Sequence, residues 1–513
     1  MSNIPFTESL IEEAALEWFE RIGYTRIHGP DIAPGEPNEE RKDFDKVILE
    51  DRLKRAIEKI NPHIPQDAQE EAFKTILRLS SPSLIDANHK MHTMFVNGID
   101  VTYSIEEGGE KTEPVYLFDF DKMDNNDWVV VNQFAIIEAP YHRRPDIVVY
   151  VNGLPLGLIE LKNAKITSAD VDSAYKQIQT YKEQIPTIFT YNVGLVVSDG
   201  VYSYFGSLTA ESERFMPWKT IADGKVEKQV KSSLEIMIRG IFDKSRFLDL
   251  MRYFVVFENT GGNKIIKKIA GYHQYHAVNK AIERTIQATS VNGDGRIGVV
   301  WHTQGSGKSL SMEFYAGKII QTPELENPTV VVITDRNDLD DQLFGTFSLG
   351  HELIRQKPRQ AKNRSGLREL LSVASGGVVF TTMQKFAPED KGDRHPLLSD
   401  RRNIIVMADE AHRSQYGFEA KLVDEDSTDK SKGQVFKYGY AQHLRDALPN
   451  ASFIGFTGTP IESTDKNTRS VFGEYIDIYD IKRTHKIPKE SQDELAERLL
   501  EQAEAFADQW GVA

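Results

Sequence analysis

The sequence has 513 residues with 40% hydrophobic and 27% charged side chains, a globular composition that excludes disordered, collagen-like and coiled-coil proteins. It contains no cysteine, so disulfides, thiolate zinc sites and a cysteine nucleophile are excluded. The net charge of −15 argues weakly against nucleic-acid binding, although a local basic groove would escape so blunt a statistic. No run approaches the ~18 apolar residues of a membrane span, and the start lacks a signal-peptide pattern, so we expect a cytoplasmic protein without membrane contact.

The length predicts about three domains, and the first of them is expected to span residues 1–225. It opens with an amphipathic helix, because Ile11, Trp18 and Ile22 recur at helical spacing. Strand-like runs between polar loops follow this helix. Residues 226–268 are predicted to be a helical connector that ends in a linker, since a glycine pair and three lysines interrupt the apolar pattern there.

Residues 269–480 are predicted to form one α/β lobe, because strand-like runs alternate there with helical ones. The runs are nearly continuous in apolar residues, which is typical of strands buried on both faces of a parallel sheet. The predicted strands are Gly298–Trp301, Thr329–Thr334, Gly377–Thr381, Ile404–Ala408 and Ser452–Phe456. Residues 481–513 are predicted to be a tail with an amphipathic helix.

A glycine-rich turn follows the first predicted strand of this lobe and predicts a phosphate-binding loop. A tight turn of this kind before a helix lets backbone N–H groups and the helix dipole face phosphate oxygens. Lys308 would neutralise the β- and γ-phosphates of ATP, and the Ser309 hydroxyl would ligate Mg²⁺. The general pattern has glycine where this chain has His302. The loop reads Thr303-Gln304-Gly305-Ser306-Gly307-Lys308-Ser309.

An acidic pair at the end of another predicted strand indicates the second half of a nucleotide site. The strand is followed by Asp409-Glu410-Ala411-His412. Two adjacent carboxylates at the tip of an apolar strand are costly unless a cation or a water network uses them. We predict that Asp409 holds Mg²⁺ through its water shell and that Glu410 orients the attacking water.

Two weaker signals lie in the same lobe. Thr457-Gly458-Thr459 follows a predicted strand, and its hydroxyls could couple the nucleotide state to a moving loop. Gln274 could read the adenine edge with its amide. Either signal alone is more often a surface or capping residue, and only their order along the chain favours a functional role.

A hairpin with polar ends predicts a nuclease site in the first domain. Two apolar runs flank Asn152-Gly153, a strong hairpin signal. Asp146 opens the first strand, and Glu160 and Lys162 close the second, two residues apart and therefore on one face. Two carboxylates and a backbone carbonyl can hold Mg²⁺, and the lysine would position the nucleophile and stabilise charge on the phosphate. The alternative is an edge hairpin whose charges face water.

The pairing register of this hairpin provides a structural test. A plain two-residue turn would place Asp146 opposite Ile159, on the wrong face for sharing a metal with the second acid. We therefore predict a bulge or an odd-length loop near Val151–Pro155. Gln177 and Tyr181 lie one helical turn apart just downstream and could brace the site or contact a phosphate; a surface pair is the alternative.

This combination of motifs resembles the restriction (R, motor and endonuclease) subunit of type I restriction–modification enzymes. The residues that carry the resemblance are Asp146, Glu160-Leu161-Lys162 and Gln177-x-x-x-Tyr181, followed by the helicase motifs Gln274, Gly305–Ser309, Asp409–His412 and Thr457–Pro460. It implies an α/β protein in which a PD-(D/E)xK-type nuclease domain, a mixed sheet with helices, precedes one RecA-like superfamily 2 lobe. It also implies ATP and Mg²⁺ as cofactors and ATP-driven translocation and cleavage of unmodified double-stranded DNA. The implied partners are the modification (methyltransferase) and specificity subunits.

The family pattern includes a second helicase lobe with an arginine finger, whereas 53 residues follow Pro460 here, fewer than the about 150–200 that such a lobe needs. Because an arginine finger is worth about 10³–10⁵ in rate, we expect this chain alone to bind ATP with weak or no hydrolysis. Two alternatives stay open. One is a stand-alone superfamily 2 helicase or repair ATPase whose N-terminal domain only binds DNA, and the other is a non-catalytic assembly fragment.

Overall fold

A computed structural model of the chain describes residues 8–480, apart from 106–107, 163–170, 223, 228–231, 262–263, 335–336, 387–396, 412–420, 424–434, 438–439 and 459–465. The contacts divide the chain into two compact units, with the boundary between Tyr272 and His273. The tail helix predicted within 481–513 lies outside the described residues. None of the described helices combines the length and the apolar character needed to cross a bilayer.

The first unit is a mixed α/β structure, as predicted. Its α-helices are α1 (Glu8–Arg21), α2 (Glu50–Ile60), α3 (Gln66–Leu77), α4 (Leu84–Asn97), α5 (Val171–Gln184), α6 (Ser233–Ile241) and α7 (Lys244–Tyr253). Its strands are β1 (Thr25–His28), β2 (Ile99–Ser104), β3 (Glu110–Val115), β4 (Trp128–Asn132), β5 (Ile136–Glu138), β6 (Tyr141–Arg143), β7 (Ile147–Val151), β8 (Leu154–Leu161), β9 (Gly194–Ser198), β10 (Ser203–Gly206), β11 (Val255–Asn259) and β12 (Ile265–Ile269).

Six of these strands form the central sheet of the first unit, in the order β1-β4-β7-β8-β9-β10. The pairs β1–β4 and β8–β9 are parallel, and the other three neighbouring pairs are antiparallel. Every residue of β4, β7, β8 and β9 is buried, so the middle of the sheet is covered on both faces. Any charged side chain on these strands is therefore held away from bulk water.

The hairpin between β7 and β8 contains the predicted irregularity. Asn152 and Gly153 both have positive φ angles, 53° and 77°, as a tight two-residue turn of the hairpin type requires. The pairing then shifts on β8 from Pro155 to Gly157 while β7 advances by a single residue, so Leu156 is an extra, bulged residue. The predicted bulge is confirmed, and it lies one residue beyond the predicted stretch.

The linker predicted at the end of residues 226–268 is wrong, because β11 and β12 form an antiparallel hairpin there. The rest of the segment forms α6 and α7, and all of it belongs to the first unit. The prediction treated the three lysines as solvent-exposed residues of a linker, whereas Lys267 is only 1% exposed. Its carbonyl accepts hydrogen bonds from the hydroxyls of Ser207 and Thr209, at 2.5 and 3.0 Å.

The second unit is built on a parallel sheet. Its helices are α8 (Tyr272–Thr289), α9 (Lys308–Ile320), α10 (Asn337–Leu349), α11 (Arg364–Leu371), α12 (Tyr440–Ala447) and α13 (Lys466–Phe472). Its strands are β13 (Arg296–His302), β14 (Thr329–Thr334), β15 (Arg359–Gln360), β16 (Val378–Thr382), β17 (Ile404–Asp409), β18 (Lys421–Val423), β19 (Val435–Lys437), β20 (Ser452–Thr457) and β21 (Tyr475–Tyr479).

Seven of these strands form one sheet in the order β15-β16-β14-β17-β20-β13-β21, and every neighbouring pair is parallel. The five predicted strands are confirmed as its central members, whereas the edge strands β15 and β21 were not predicted. Because parallel strands gather their carboxyl ends at one edge, the residues after β13, β17 and β20 come together there. That edge carries the predicted nucleotide motifs.

Candidate active sites

The predicted nuclease residues converge at the open end of the β7–β8 hairpin. The Leu156 bulge sets a register in which Ile147 pairs with Ile159, so Asp146 and Glu160 lie opposite each other on one face. The Leu161 N–H donates to Asp146 Oδ2 at 2.8 Å. Lys162 Nζ donates to Glu160 Oε1 at 2.7 Å and to the Leu161 carbonyl at 2.8 Å. The side chains of Asp146 and Lys162 thus both contact the backbone of Leu161, next to Glu160.

Burial dominates the electrostatics of this cluster. Glu160 is 0% exposed and Asp146 is 8% exposed. Burial raises the pKa of Asp146 well above that of an ordinary aspartate, and burial together with the charge of Asp146 raises the pKa of Glu160. Burial alone would lower the pKa of Lys162, but the nearby carboxylates, Glu160 first, outweigh it and raise that pKa. The site therefore lacks positive charge relative to its acids.

The donor set fits a divalent cation. Glu160 Oε2 is buried without a hydrogen-bond partner among the described residues, so this oxygen is available to a cation. Across the described part of the chain, no group of three acidic or histidine side chains is placed to hold a metal. A cation here would take Asp146, Glu160, the Leu161 carbonyl and water, which are the hard oxygen ligands that Mg²⁺ prefers.

Two further acids, which the sequence analysis missed, approach the cluster from helix α1. Glu8 Oε1 lies 3.6 Å from Lys162 Nζ. Glu12 accepts hydrogen bonds from the side-chain amides of Asn132, at 2.6 Å, and Gln133. Both glutamates add to the rise in the pKa of Asp146. The available signal was their spacing of four residues, which places them on one face of α1.

The predicted pair on α5 also reaches the acids. Gln177 Nε2 donates to the Tyr181 hydroxyl at 2.5 Å. Burial raises the pKa of Tyr181, and the charge of Glu160 adds to this rise. Gln177 and Tyr181 are thus not an isolated surface pair, because the phenol is held beside Glu160 by the amide.

The phosphate loop connects β13 to α9, which begins at Lys308. Gly305 and Gly307 have φ angles of +86° and +83°, a conformation that favours glycine. A Cβ atom on Gly307 would lie 2.8 Å from Gln274 Nε2, whereas one on Gly305 would meet nothing within 4 Å. Gln274 Nε2 donates to the Gly307 carbonyl at 3.0 Å, so the amide predicted to read adenine lies against the loop.

The acidic pair at the end of β17 faces the lysine of the phosphate loop. Lys308 Nζ lies 2.8 Å from Asp409 Oδ1 and also contacts Glu410 Oε1. Glu410 has a positive φ of 51°, which turns the chain as it leaves the strand. The structure therefore brings together Lys308, Asp409 and Glu410, while His412 lies outside the described residues.

The remaining predicted residues of this lobe occupy the same edge. Thr457 is 0% exposed and pairs with Trp301, whose Nε1 donates to the Gly458 carbonyl at 3.3 Å; Thr459 lies outside the described residues. Within the loop, Gln304 is exposed, Thr303 and Ser309 are half-buried, and Ser306 is buried with a hydroxyl that has no partner among the described residues. These positions are compatible with a loop whose backbone N–H groups donate hydrogen bonds to phosphate oxygens.

The two units define a class of protein. The first is a mixed sheet with a buried acid–acid–lysine cluster, and the second is a RecA-like parallel-sheet lobe with a phosphate loop. Two family profiles match these same units. "Type I restriction enzyme R protein N terminus" matches residues 5–214, and "SWI2/SNF2 ATPase" matches residues 273–487.

Individual relatives agree with these profiles. The type I restriction enzyme HindI endonuclease subunit of Haemophilus influenzae is 46% identical over 478 residues, covering 92% of this chain and 44% of the relative. A Methanocaldococcus jannaschii protein with a provisional assignment to the same kind of subunit is 35% identical over 499 residues, covering 93% of this chain and 44% of the relative. The chain is homologous to the N-terminal region of type I restriction enzyme R subunits and spans less than half the length of these relatives.

Proposed function

We propose that the chain is an ATP-dependent type I restriction endonuclease subunit. In this proposal, the cluster of Asp146, Glu160 and Lys162 cleaves unmodified double-stranded DNA with Mg²⁺, and the lobe with the phosphate loop binds ATP for translocation. The chain would act in the cytoplasm with modification (methyltransferase) and specificity subunits. The observation that carries the proposal is the convergence of two buried carboxylates and one lysine on a single hairpin.

The chemistry assigned to the first unit follows from its charges. Mg²⁺, when bound, would lower the pKa of a water molecule and neutralise charge developing on the phosphate. Asp146 and Glu160 would hold the cation. Lys162, fixed by Glu160 and by the Leu161 carbonyl, would donate hydrogen bonds to the attacked phosphate or to the nucleophilic water. Tyr181 would keep the Glu160 side chain in place.

The assignment of ATP to the second unit rests on the loop and its acidic neighbours. The amide groups before Lys308 and the start of α9 present positive charge to an anion. Lys308 is paired with Asp409 and Glu410, so a bound triphosphate would replace these two acids as the partner of the lysine. This exchange would release Asp409 to hold hydrated Mg²⁺ and Glu410 to orient a water molecule.

A cleavage assay on unmodified circular DNA tests the proposal. The full chain is incubated with and without ATP, Mg²⁺ and the modification and specificity subunits. We expect cleavage only in the complete mixture, and Lys162→Met should abolish cleavage while nucleotide binding persists. Lys308→Ala should remove both nucleotide binding and cleavage. Lys46→Met, which changes an exposed lysine of the first unit, serves as the matched control.

Two results would contradict this assignment. Cleavage by the Lys162→Met variant at the rate of the unchanged protein would remove the nuclease role of the hairpin. DNA-stimulated ATP hydrolysis without cleavage, in the presence of all partners, would instead favour a helicase or repair ATPase.

A further inference from the structure

The edge strand β21 holds the residue that departs from the general phosphate-loop pattern. His302 is 0% exposed, and its Nε2 donates to Asp477 Oδ1 at 3.1 Å. Lys280 Nζ, from helix α8, donates to Asp477 Oδ2 at 2.7 Å. The other ring nitrogen, His302 Nδ1, has no partner among the described residues, so the bond to Asp477 orients the imidazole.

The same strand contacts the loop at two more points. The Thr303 N–H donates to the Tyr479 carbonyl at 3.0 Å. The Tyr479 ring stacks on His273, with ring centroids 4.0 Å apart and planes 9° apart, and His273 Nε2 donates to the Ser306 carbonyl at 2.9 Å. Strand β21 therefore touches residue 303 directly and residue 306 through one side chain.

Asp477 is the charged centre of these contacts. Burial alone would raise its pKa, but the hydrogen bonds from His302 and Lys280 outweigh burial and hold the pKa below the usual aspartate value. The carboxylate therefore stays ionised at neutral pH. Breaking such a buried pair from one side is costly because the remaining group keeps its desolvation without its partner.

We propose that Asp477 is a positioning residue for the phosphate loop: by holding His302 from β21, it fixes the backbone that cradles the phosphates of a nucleotide. The inference rests on the proposed nucleotide binding and deepens it. Where other phosphate loops begin with glycine, this chain has a buried imidazole that ties the loop to a neighbouring strand. The side chains of His302 and Asp477 are bonded to each other, so the proposed role is to position the loop and not to contact phosphate.

The test measures how tightly the full chain binds a fluorescent Mg-ADP analogue and inorganic pyrophosphate. The variants are Asp477→Leu, His302→Leu and the double variant, with Asp294→Leu as control because Asp294 is also an ion-paired acid of this unit. We expect either single change to weaken both ligands roughly tenfold, the scale of one lost hydrogen bond to a charged group. The double variant should bind no more weakly than Asp477→Leu, because that change already breaks the contact with His302 as well as the contact with Lys280.

A residue that only stabilised the fold would give a different result. The variants would then melt at a lower temperature, while the folded protein below its melting transition would bind both ligands as tightly as the unchanged chain; that outcome would overturn the inference. Unchanged affinity in Asp477→Leu would overturn it as well, and if that variant does not fold, unchanged affinity in His302→Leu would do so. If the unchanged protein binds neither ligand, the proposed nucleotide site fails, and this inference fails with it.

Discussion

Both candidate sites combine two carboxylates with one lysine, but the chain assembles them differently. At the hairpin, Asp146 and Glu160 are both buried and lie opposite each other, and the lysine is only two residues beyond Glu160. At the phosphate loop, Asp409 and Glu410 are half-buried neighbours, and their lysine comes from another element about 100 residues earlier. Burial raises the pKa of both hairpin acids, whereas each loop acid faces an ammonium group.

The two sites therefore differ in the kind of ion that each is suited to bind. Like charges held together in a low dielectric are costly, so an added cation would stabilise the two hairpin acids, as the proposed function requires. The loop is already balanced, because Lys308 contacts both acids, so an anion must displace these contacts to bind. One arrangement is thus suited to collecting a metal ion and the other to exchanging partners with a phosphate.

The largest expected effect is that one substitution strongly lowers DNA cleavage and leaves nucleotide binding intact. Asp146→Asn should lower the DNA cleavage rate at least about a hundredfold, the scale of removing one group that stabilises a transition state. Nucleotide affinity should not change. Asp409→Asn should weaken the Mg²⁺-dependent part of nucleotide binding instead. Initial nicking rates and nucleotide titrations on the same preparations give the comparison, with the exposed Asp100→Asn as control.

Equal losses of both activities in each variant would mean that the two sites are not chemically independent. A cleavage rate unchanged by Asp146→Asn would remove the acid pair from catalysis altogether.

A smaller effect is expected at the glycines of the phosphate loop. Gly305 and Gly307 have similar positive φ angles, so alanine strains the backbone at both by about 1–2 kcal/mol. Only at Gly307 would the new Cβ meet a neighbour, Gln274 Nε2 at 2.8 Å. Gly307→Ala should therefore weaken nucleotide binding several-fold more than Gly305→Ala. Equal effects would show that the contact with Gln274 does not shape the loop.

The sequence was informative where a site depends on neighbouring residues. Glu160 and Lys162 share a face because strand side chains alternate. Asp146 could be placed on the same face by predicting a bulge in the hairpin. The phosphate loop is contiguous, so its glycines, lysine and serine are visible together. The five central strands of the parallel sheet have apolar runs that need no tertiary information.

The remaining parts depend on contacts between distant segments. Glu8 and Glu12 reach the acids only because α1 lies beside the end of the hairpin. Strand β21 is at the sheet edge, and Asp477 interrupts its apolar pattern. Lys267 suggested a linker, because a sequence does not show that a lysine will find buried amide and carbonyl partners.

The acid pair also predicts an effect on stability. Without divalent cations, Glu160→Gln should raise the free energy of unfolding by about 1–3 kcal/mol, because a buried group that can carry charge becomes permanently neutral. Mg²⁺ should raise the melting temperature of the unchanged protein and not that of the variant, since a ligand of the folded state stabilises it. Calorimetry of the full chain with and without Mg²⁺ measures both quantities.

The control for this prediction is Glu235→Gln, which neutralises another buried acid. Arg239 Nη1 lies 2.6 Å from Glu235 Oε1, so this acid has a cation of its own, whereas Lys162 faces the charges of both Glu160 and Asp146. We expect this change to lower stability and to leave the response to Mg²⁺ intact. A stabilising effect of both changes would show that burial, rather than the pairing of two acids, sets the cost.

Lys267 extends the comparison to a buried lysine that faces no acid in the part of the chain that the structure describes. Its Nζ donates to Asn88 Oδ1 at 3.0 Å and to the Asn192 carbonyl at 2.5 Å, and burial lowers its pKa to about 7. Lys162 is also partly buried, yet its acidic neighbours raise its pKa. The two lysines thus respond to burial in opposite directions because only one of them has carboxylates beside it.

This lysine predicts the smallest effect, a change in how stability depends on pH. Between pH 7 and about 10.4, the ordinary lysine value, the unfolded chain binds a proton that folded Lys267 does not, so its contribution makes stability rise with pH. Below pH 7 both states are protonated and the penalty is constant. The melting temperature of the unchanged protein minus that of Lys267→Met should therefore increase by a few degrees between pH 7 and 9.5, because the other titrating groups are common to both. Parallel curves over that range would show that the lysine keeps its proton when buried, and that amide and carbonyl partners alone can hold a charged ammonium group.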